Sequence, residues 1–197
     1  YKLRYDRGKA FEVDDMDNAE TLEVVTLNMF GKFVRDKVVP EMDAVRLSTY
    51  AANAGTTVAA NLTTDKQVLE AILTAEAAIE DVASIDGALL YLTSAIKGLL
   101  KTAVPWRFGV GEDPDTRFET FDGMRIKTVP SSRFKTSFTL GADGFAATKK
   151  ADSDQTHVTG KVSTDAVAIN FLMLKPEAVC QIKKTEKMRY FAPDVNQ

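Results

Sequence analysis

The side chains most often used in catalysis are scarce in this chain, which has one histidine, His157, and one cysteine, Cys180. A nucleophilic cysteine needs a nearby base, and His157 is the only imidazole that the sequence offers. His157 lies in a polar segment with nothing beside it in sequence to orient its ring, so we expect a surface position. Cys180 has Val179 and Ile182 as neighbours, which predicts a buried, unreactive thiol in a helix.

Carboxylates are concentrated near the start of the chain. This acidic cluster consists of Glu12, Asp14, Asp15 and Asp17. Oxygen-rich clusters bind Ca²⁺ or Mg²⁺, and a metal-assisted enzyme built on these carboxylates is one alternative that the sequence leaves open. The spacing does not match an EF-hand loop. Acidic side chains also stabilise the positive end of a helix, which is the interpretation we favour here.

The remaining motifs favour structure over chemistry. The loop containing Gly109 and Gly111 is not followed by Lys-Ser/Thr, so it is not a phosphate loop, and no Gly-x-Ser-x-Gly motif is present. Four aromatic residues are predicted to pack in the core or in a hairpin: Trp106, Phe108, Phe118 and Phe121. We therefore predict no catalytic residue, no metal ligand and no cofactor, and expect that the chain is not an enzyme.

Composition narrows the class of protein further. The 197 residues include 28 acidic and 25 basic side chains, and a net charge of -3 disfavours a protein held on nucleic acid by phosphate contacts. No apolar run reaches the length of a membrane span. One cysteine cannot form a disulfide framework and fits a reducing compartment. The chain begins with Tyr1 and ends without a terminating feature, so we expect a fragment trimmed at both ends.

The first part of the chain is predicted to form an arm and a long helix. Residues 1–16 alternate loosely and carry many charges, as in a hairpin arm. A capping box and an apolar stripe predict a helix over 17–36. Pro40 forbids a regular helix through 39–40 and pushes the residue before it towards extended geometry. A second helix over 41–53 then completes a long, bent element.

The rest of the chain mixes helices and strands. A small polar linker at 54–63 precedes an amphipathic helix over about 65–83, with Thr64 and Gln67 as a capping box. A strand at 88–92 leads directly into a helix capped by Thr93 and ending at Leu100.

Strand patterns dominate from residue 104 onwards. Asp122-Gly123 between two alternating runs predicts a hairpin. Residues 131–165 are polar, as in a long loop or a peripheral hairpin insertion. The apolar run 166–174 predicts a central buried strand, and Pro176 then starts a helix.

Seven stretches of this sequence, in order, resemble the major capsid proteins of a group of tailed phages and prophages. These stretches are YDRGKAF (5–11), VDDMDNAET (13–21), FVRDKVVPEMDAVR (33–46), LYLT (90–93), IKGLL (96–100), FDGMRI (121–126) with VP (129–130), and INFLM (169–173). Each stretch alone is weakly specific, but the ordered set covers nearly the whole chain.

The resemblance implies an α+β protein with the Johnson fold, which tailed-phage capsids share with encapsulin nanocompartments. Residues 1–16 would be the end of the extended loop, and 17–53 the spine helix of the peripheral domain. Residues 54–197 would form mainly the axial domain, with strands shared with the peripheral domain and a polar insertion at about 131–165.

The resemblance also implies a function. The chain would be a structural subunit that assembles with itself, as hexamers and pentamers, into an icosahedral shell enclosing DNA without sequence-specific binding. A scaffolding protein and a portal are possible partners, assembly takes place in the host cytoplasm, and the mature location is the virion. An encapsulin-like nanocompartment shell is the main alternative. The charged arm suits reversible subunit contacts, because surface ion pairs are weak and salt-sensitive. Its contact candidates are Lys2, Arg4, Arg7, Lys9, Glu12 and Asp14.

Overall fold

A computed structural model of the chain describes residues 24–110, 119–141, 144–146 and 166–182. Within these ranges, helices alternate with a mixed sheet of five strands, which confirms the predicted α+β class. The predicted arm at 1–16 and the predicted helix start at Asp17 lie outside the described residues.

The first described element is one unbroken helical rod. It consists of α1 (Val24–Phe33), a π-helical turn (Val34–Val38) and α2 (Val39–Ala52). The predicted break at 39–40 is wrong, since Val39 is helical, with φ of -61° and ψ of -49°. The reason lies in the π turn, where the Val39 N–H bonds to the Val34 oxygen five residues earlier. Pro40 therefore falls in the first turn of α2, where a missing N–H costs little.

Two further helices have the caps that the sequence predicts. In α3 (Asp65–Glu80), the Thr64 Oγ1 accepts from the Gln67 N–H at 3.4 Å and the Gln67 Oε1 accepts from the Thr64 N–H at 3.2 Å. In α4 (Ser94–Ala103), the Thr93 hydroxyl accepts from the Ile96 N–H. Both starts are confirmed, whereas α3 ends three residues earlier than predicted and α4 ends three residues later.

The strands form one large sheet and one small hairpin. The sheet contains β1 (Leu89–Leu92), β2 (Phe108–Val110), β3 (Glu119–Phe121), β4 (Met124–Thr128) and β7 (Phe171–Leu174). Their order across the sheet is β2-β3-β4-β1-β7. β1 and β4 run parallel, and the other neighbours are antiparallel. β5 (Thr139–Gly141) and β6 (Gly144–Ala146) pair separately, so the polar insertion does contain a hairpin.

Each face of the sheet has its own helical cover. On one face, Leu90 and Leu92 of β1 are fully buried in a core that also contains Val68 and Ile72 of α3 and Leu100 of α4. On the opposite face, Leu47 of α2 packs in a smaller cluster with Val129 and Phe134. Tyr91 and Leu172 are paired across β1 and β7 and contact this second cluster. The two covered faces explain why β1 is apolar at consecutive positions.

The apolar run 166–174 does not form the predicted central strand. Only Phe171–Leu174 is a strand, it pairs with β1 alone, and its four residues are half-buried. The run is apolar because both faces are covered at this point: Phe171 packs against the core under α3 and α4, and Leu172 against the cluster under α2. Coverage of the two faces, and not a central position, produces this pattern.

The predicted helix after Pro176 is also wrong. The chain makes a single 3₁₀ turn, Pro176–Ala178, and Val179 is then extended, with φ of -122° and ψ of 117°. Cys180 is consequently exposed instead of buried in a helix. Trp106, predicted to pack inside, is 78% exposed in a 3₁₀ turn. Phe108 and Phe121 do pack in the core, while Phe118 lies outside the described residues.

The turn of the predicted β3–β4 hairpin is confirmed and requires its glycine. Asp122 and Gly123 have φ of 46° and 79°, and positive φ at both central residues is the requirement of a type I′ turn. A Cβ added to Gly123 would lie 3.1 Å from Oδ1 of Asp86. The turn therefore tolerates little besides glycine at this position.

We expect Gly123→Ala to lower the free energy of unfolding by about 1–2 kcal/mol, the cost of forcing a Cβ into left-handed geometry. Chemical denaturation with urea measures the change. Gly55→Ala is the matched control, because Gly55 has no positive φ and open space around it, so its effect should be neutral or slightly stabilising. Equal losses for the two variants would contradict the assignment.

Candidate functional site

The residues for which the sequence predicts subunit contacts, metal binding or catalysis as one alternative lie outside the described part of the chain. This applies to all six contact candidates, Lys2, Arg4, Arg7, Lys9, Glu12 and Asp14, and also to Asp15, Asp17 and His157. Their roles stay predictions. The described residues instead bring together a different group of ionisable side chains, which the sequence analysis did not identify.

This group surrounds an aromatic pair at the β2 end of the sheet, and we call it the edge cluster. Phe108 of β2 and Phe121 of β3 are cross-strand partners whose ring centroids lie 5.4 Å apart at an angle of 61°. Edge-to-face geometry of this kind is favourable for aromatic pairs. The charged members of the edge cluster are Glu76, Lys97, Lys101, Arg107, Glu119 and Asp122.

One side of the edge cluster ties α4 to β3. Lys97 and Lys101 lie one turn apart on α4, and each forms an ion pair with Glu119, Lys97 with its Oε2 and Lys101 with its Oε1. The Lys101 ammonium also lies 5.3 Å from the centroid of the Phe108 ring, within range of a cation–π contact. Partial burial pushes the pKa of Glu119 up, but hydrogen bonds from Lys101 and Lys97 outweigh it and hold that pKa below its ordinary value.

The other side of the edge cluster connects the 3₁₀ turn before β2, Pro105–Arg107, to the hairpin turn between β3 and β4. Nη2 of Arg107 lies 2.8 Å from Oδ2 of Asp122. The guanidinium carbon is 5.5 Å from the centroid of the Phe121 ring. Both positions follow from the antiparallel register, because Arg107 directly precedes Phe108 and Asp122 directly follows Phe121, and these two phenylalanines are paired. A cation therefore lies beside each ring of the aromatic pair.

Glu76 is the unusual member of the edge cluster. It is only 9% exposed, and its Oε2 is buried without a hydrogen-bond partner. Burial raises the pKa of Glu76, and the negative charges of Asp122 and Glu80 raise it further, against the opposing effect of Arg107. A carboxyl in this position takes up a proton at a higher pH than an exposed glutamate does.

A sequence signal for Glu76 did exist. Val68, Ile72 and Glu76 recur every four residues on the buried stripe of α3, so the pattern places a carboxylate where an apolar side chain is expected. Lys97 and Lys101 are likewise recognisable as neighbours on one helix face. The pairing of Arg107 with Asp122 was not accessible in this way, because it depends on the register of β2 against β3.

The described ranges hold no group of three or more His, Cys, Asp or Glu side chains arranged to bind a metal ion. In the same ranges, no helix has the length and apolarity needed to cross a membrane.

No protein-family model, no curated protein and no solved structure matches this chain.

We expect Glu76→Gln to stabilise the protein at pH 7 by on the order of 1 kcal/mol, since the amide removes a buried charge and adds a donor. The sign follows from linkage. Because the folded pKa is raised, the stability that Glu76 contributes is complete below the pKa of an ordinary glutamate and is lost as the pH rises through the folded value. The difference between variant and wild type should therefore shrink towards pH 4.

Urea denaturation between pH 4 and 8 tests this expectation, with the exposed Glu177→Gln as the matched control. A stability difference that does not change with pH, or one that grows towards pH 4, would show that the Glu76 carboxyl is not the group responsible.

Glu119→Gln should have the opposite effect at neutral pH, a loss of about 1 kcal/mol, because Lys97 and Lys101 lose their common partner. The folded pKa of Glu119 is lowered, so its contribution is present above the ordinary pKa and disappears as the pH falls through the folded value. Denaturation in low and high salt provides the check. The loss should be smaller in 1 M salt, where the Debye length is about 3 Å. A loss unaffected by salt would exclude ion pairing as its cause.

Proposed function

We propose that this chain is a structural subunit of an icosahedral shell, the capsid of a tailed phage or prophage, and that it has the Johnson fold. The observation that carries the proposal is the order of the seven stretches that resemble tailed-phage capsid proteins, from residue 5 to residue 173. Short stretches match by chance easily, whereas seven of them in the same order along one chain do so rarely.

The architecture of the described residues is compatible with the proposal at the coarser level of an α+β subunit with a long helix. The rod of α1, the π turn and α2 is about 44 Å long at about 1.5 Å per residue. α2 packs beside the 3₁₀ turn Ser131–Arg133, and Asp43 binds Arg133 at 3.2 Å. Among the described elements, α1 makes no extensive contact with the sheet or with α3 and α4.

The proposed contacts of the subunit are charged and reversible. Subunits of a closed shell repeat heterologous contacts around symmetry axes, and errors are corrected only if individual contacts are weak. Exposed ion pairs have this property, because each contributes up to about 1 kcal/mol and salt screens it. The arm residues Arg4 and Arg7 are the proposed cationic side of such contacts.

Electron microscopy combined with light scattering on the full-length protein tests the proposal. We expect uniform icosahedral shells of megadalton mass, whose yield falls when salt is raised during assembly. Arg4→Glu together with Arg7→Glu should reduce the yield of shells at low salt without changing the melting temperature. A monomer at every salt concentration, pH and protein concentration, also in the presence of its scaffolding partner, would contradict a shell function.

The contents of the shells separate the two shell functions. Packaged DNA supports the capsid, while shells filled with an enzyme as cargo support the encapsulin-like compartment. A metal-assisted enzyme using Glu12, Asp14, Asp15 and Asp17 remains the alternative from another class. Micromolar binding of Mg²⁺ or Ca²⁺ by a protein that does not assemble, measured by calorimetry, would favour it over both.

A further inference from the structure

Helix α3 carries a second stripe of side chains besides the one that it buries. Val68 and Ile72 point into the core and are fully buried. The second stripe, here called the outer stripe, lies about a third of a turn away, given 3.6 residues per turn. It consists of Lys66, Leu69, Leu73, Ala77 and Glu80.

The outer stripe is apolar in its middle and open to solvent. Leu73 is 37% exposed, Ala77 is exposed, and Leu69 is half-buried. A shallow depression of about 510 Å³ runs along it, lined by Lys66, Leu69, Glu70, Leu73, Thr74 and Ala77. Solvent-exposed helix faces are normally polar, so an apolar strip between two charged ends is typical of a surface that packs against another helix.

The residues of the outer stripe are arranged symmetrically about Leu73. Leu69 and Ala77 lie four residues before and after it, and Lys66 and Glu80 lie seven residues before and after it. Two copies of α3 packed antiparallel, with a two-fold axis at Leu73, therefore bring Leu73 against Leu73. In the same arrangement Leu69 meets Ala77, a large residue against a small one, and Lys66 meets Glu80, a cation against an anion.

The two end charges are unfavourable for the helix itself. Lys66 lies in the first turn, where the helix dipole disfavours cations, and Glu80 is the last residue, where it disfavours anions. The last turn contains no basic residue. Charges that oppose the local preference at both ends of a stripe indicate that something other than the isolated helix requires them.

We propose that the outer stripe of α3 is an interface for a second copy of this chain, packed antiparallel across a two-fold axis at Leu73. Charge complementarity and the symmetric spacing select a second copy over an unrelated partner. The contact of two helix faces buries less than a standard interface of about 1,600 Å², so the dimer is weak, with a dissociation constant of roughly 10–300 μM. The proposal does not depend on the proposed shell function.

Sedimentation equilibrium at protein concentrations up to the millimolar range tests the interface through charge reversal. Lys66→Glu and Glu80→Lys should each weaken the dimer about fivefold to tenfold, because each substitution replaces both symmetry-related ion pairs with like charges. The double variant restores opposite charges at both contacts, so its dissociation constant should return to within about twofold of wild type. A double variant that is weaker than either single variant would overturn the proposal.

The single variants cannot weaken the dimer simply by failing to fold. Lys66→Glu adds an anion at the helix start and Glu80→Lys adds a cation at its end, and both changes improve the interaction with the helix dipole. Melting temperatures equal to or above that of wild type are therefore expected. Lys127→Glu, an exposed reversal on β4, serves as the charge control and should leave the dimer unchanged.

Cysteine cross-linking tests the position of the two-fold axis independently. In a Cys180→Ser background, Leu73→Cys places one thiol on each side of the axis, close enough for a disulfide between copies. Ala78→Cys, exposed on the same helix but outside the outer stripe, is the matched control. Selective dimer formation by Leu73→Cys under mild oxidation supports the proposal. Equal cross-linking at both positions would overturn it.

The result is distinguishable from that of the shell experiment. A dimer that responds to the charge swap but never forms shells would support the interface and contradict the shell function. The opposite outcome is that the Lys66→Glu and Leu73→Cys variants form shells as wild type does, while the unassembled protein forms no dimer. That outcome would overturn the interface and leave the proposed shell function unaffected.

Discussion

The described structure depends on the burial of a four-residue strand on both of its faces. Leu90 and Leu92 of β1 are fully buried under α3 and α4, and Tyr91 points to the cluster under α2. β1 also pairs on both edges, in parallel with β4 and antiparallel with β7. The parallel pairing requires the chain to cross over before β4 is reached, and α4 belongs to this crossover. The placement of α2, α3, α4 and β7 therefore follows from the need to cover one short apolar strand.

Charge accumulates where the apolar cover ends. The core around β1 consists of buried aliphatic residues. Nearer to β2, it contains the Phe108–Phe121 pair, which ion pairs surround. A cation over each ring is compatible with partial exposure, because the aromatic face interacts favourably with charge as well as with apolar groups. Glu76 is the exception to this arrangement, because its carboxyl is buried and its Oε2 has no hydrogen-bond partner. The edge cluster thus combines ion pairs that favour the charged forms with one carboxyl that favours the neutral form.

The sequence predicted best those features that depend on neighbouring residues. Thr64, Thr93 and the Asp122-Gly123 turn act through hydrogen bonds or dihedral angles a few residues apart, and all three occur as predicted. Predictions that depend on contacts between residues distant in sequence were less accurate. The apolar run 166–174 predicts a central strand, whereas its strand pairs with β1 alone. Consecutive apolar residues indicate that both faces of a strand are covered, but they do not show how many neighbouring strands it pairs with. For the same reason the edge cluster was missed, since Arg107 and Asp122 meet only through strand register.

The π turn in the first helix has a geometric effect beyond accommodating Pro40. A turn with i to i+5 hydrogen bonds contains one residue more than an α-helical turn, and one residue corresponds to about 100° around the axis. The two halves of the rod are therefore out of phase by about a quarter of a turn. The half-buried residues Met29 and Phe33 of α1 consequently face a different direction from Ala44 and Leu47, which α2 buries. One continuous helix thereby presents apolar side chains on two non-collinear sides, which a straight α-helix with the same sequence would align on one.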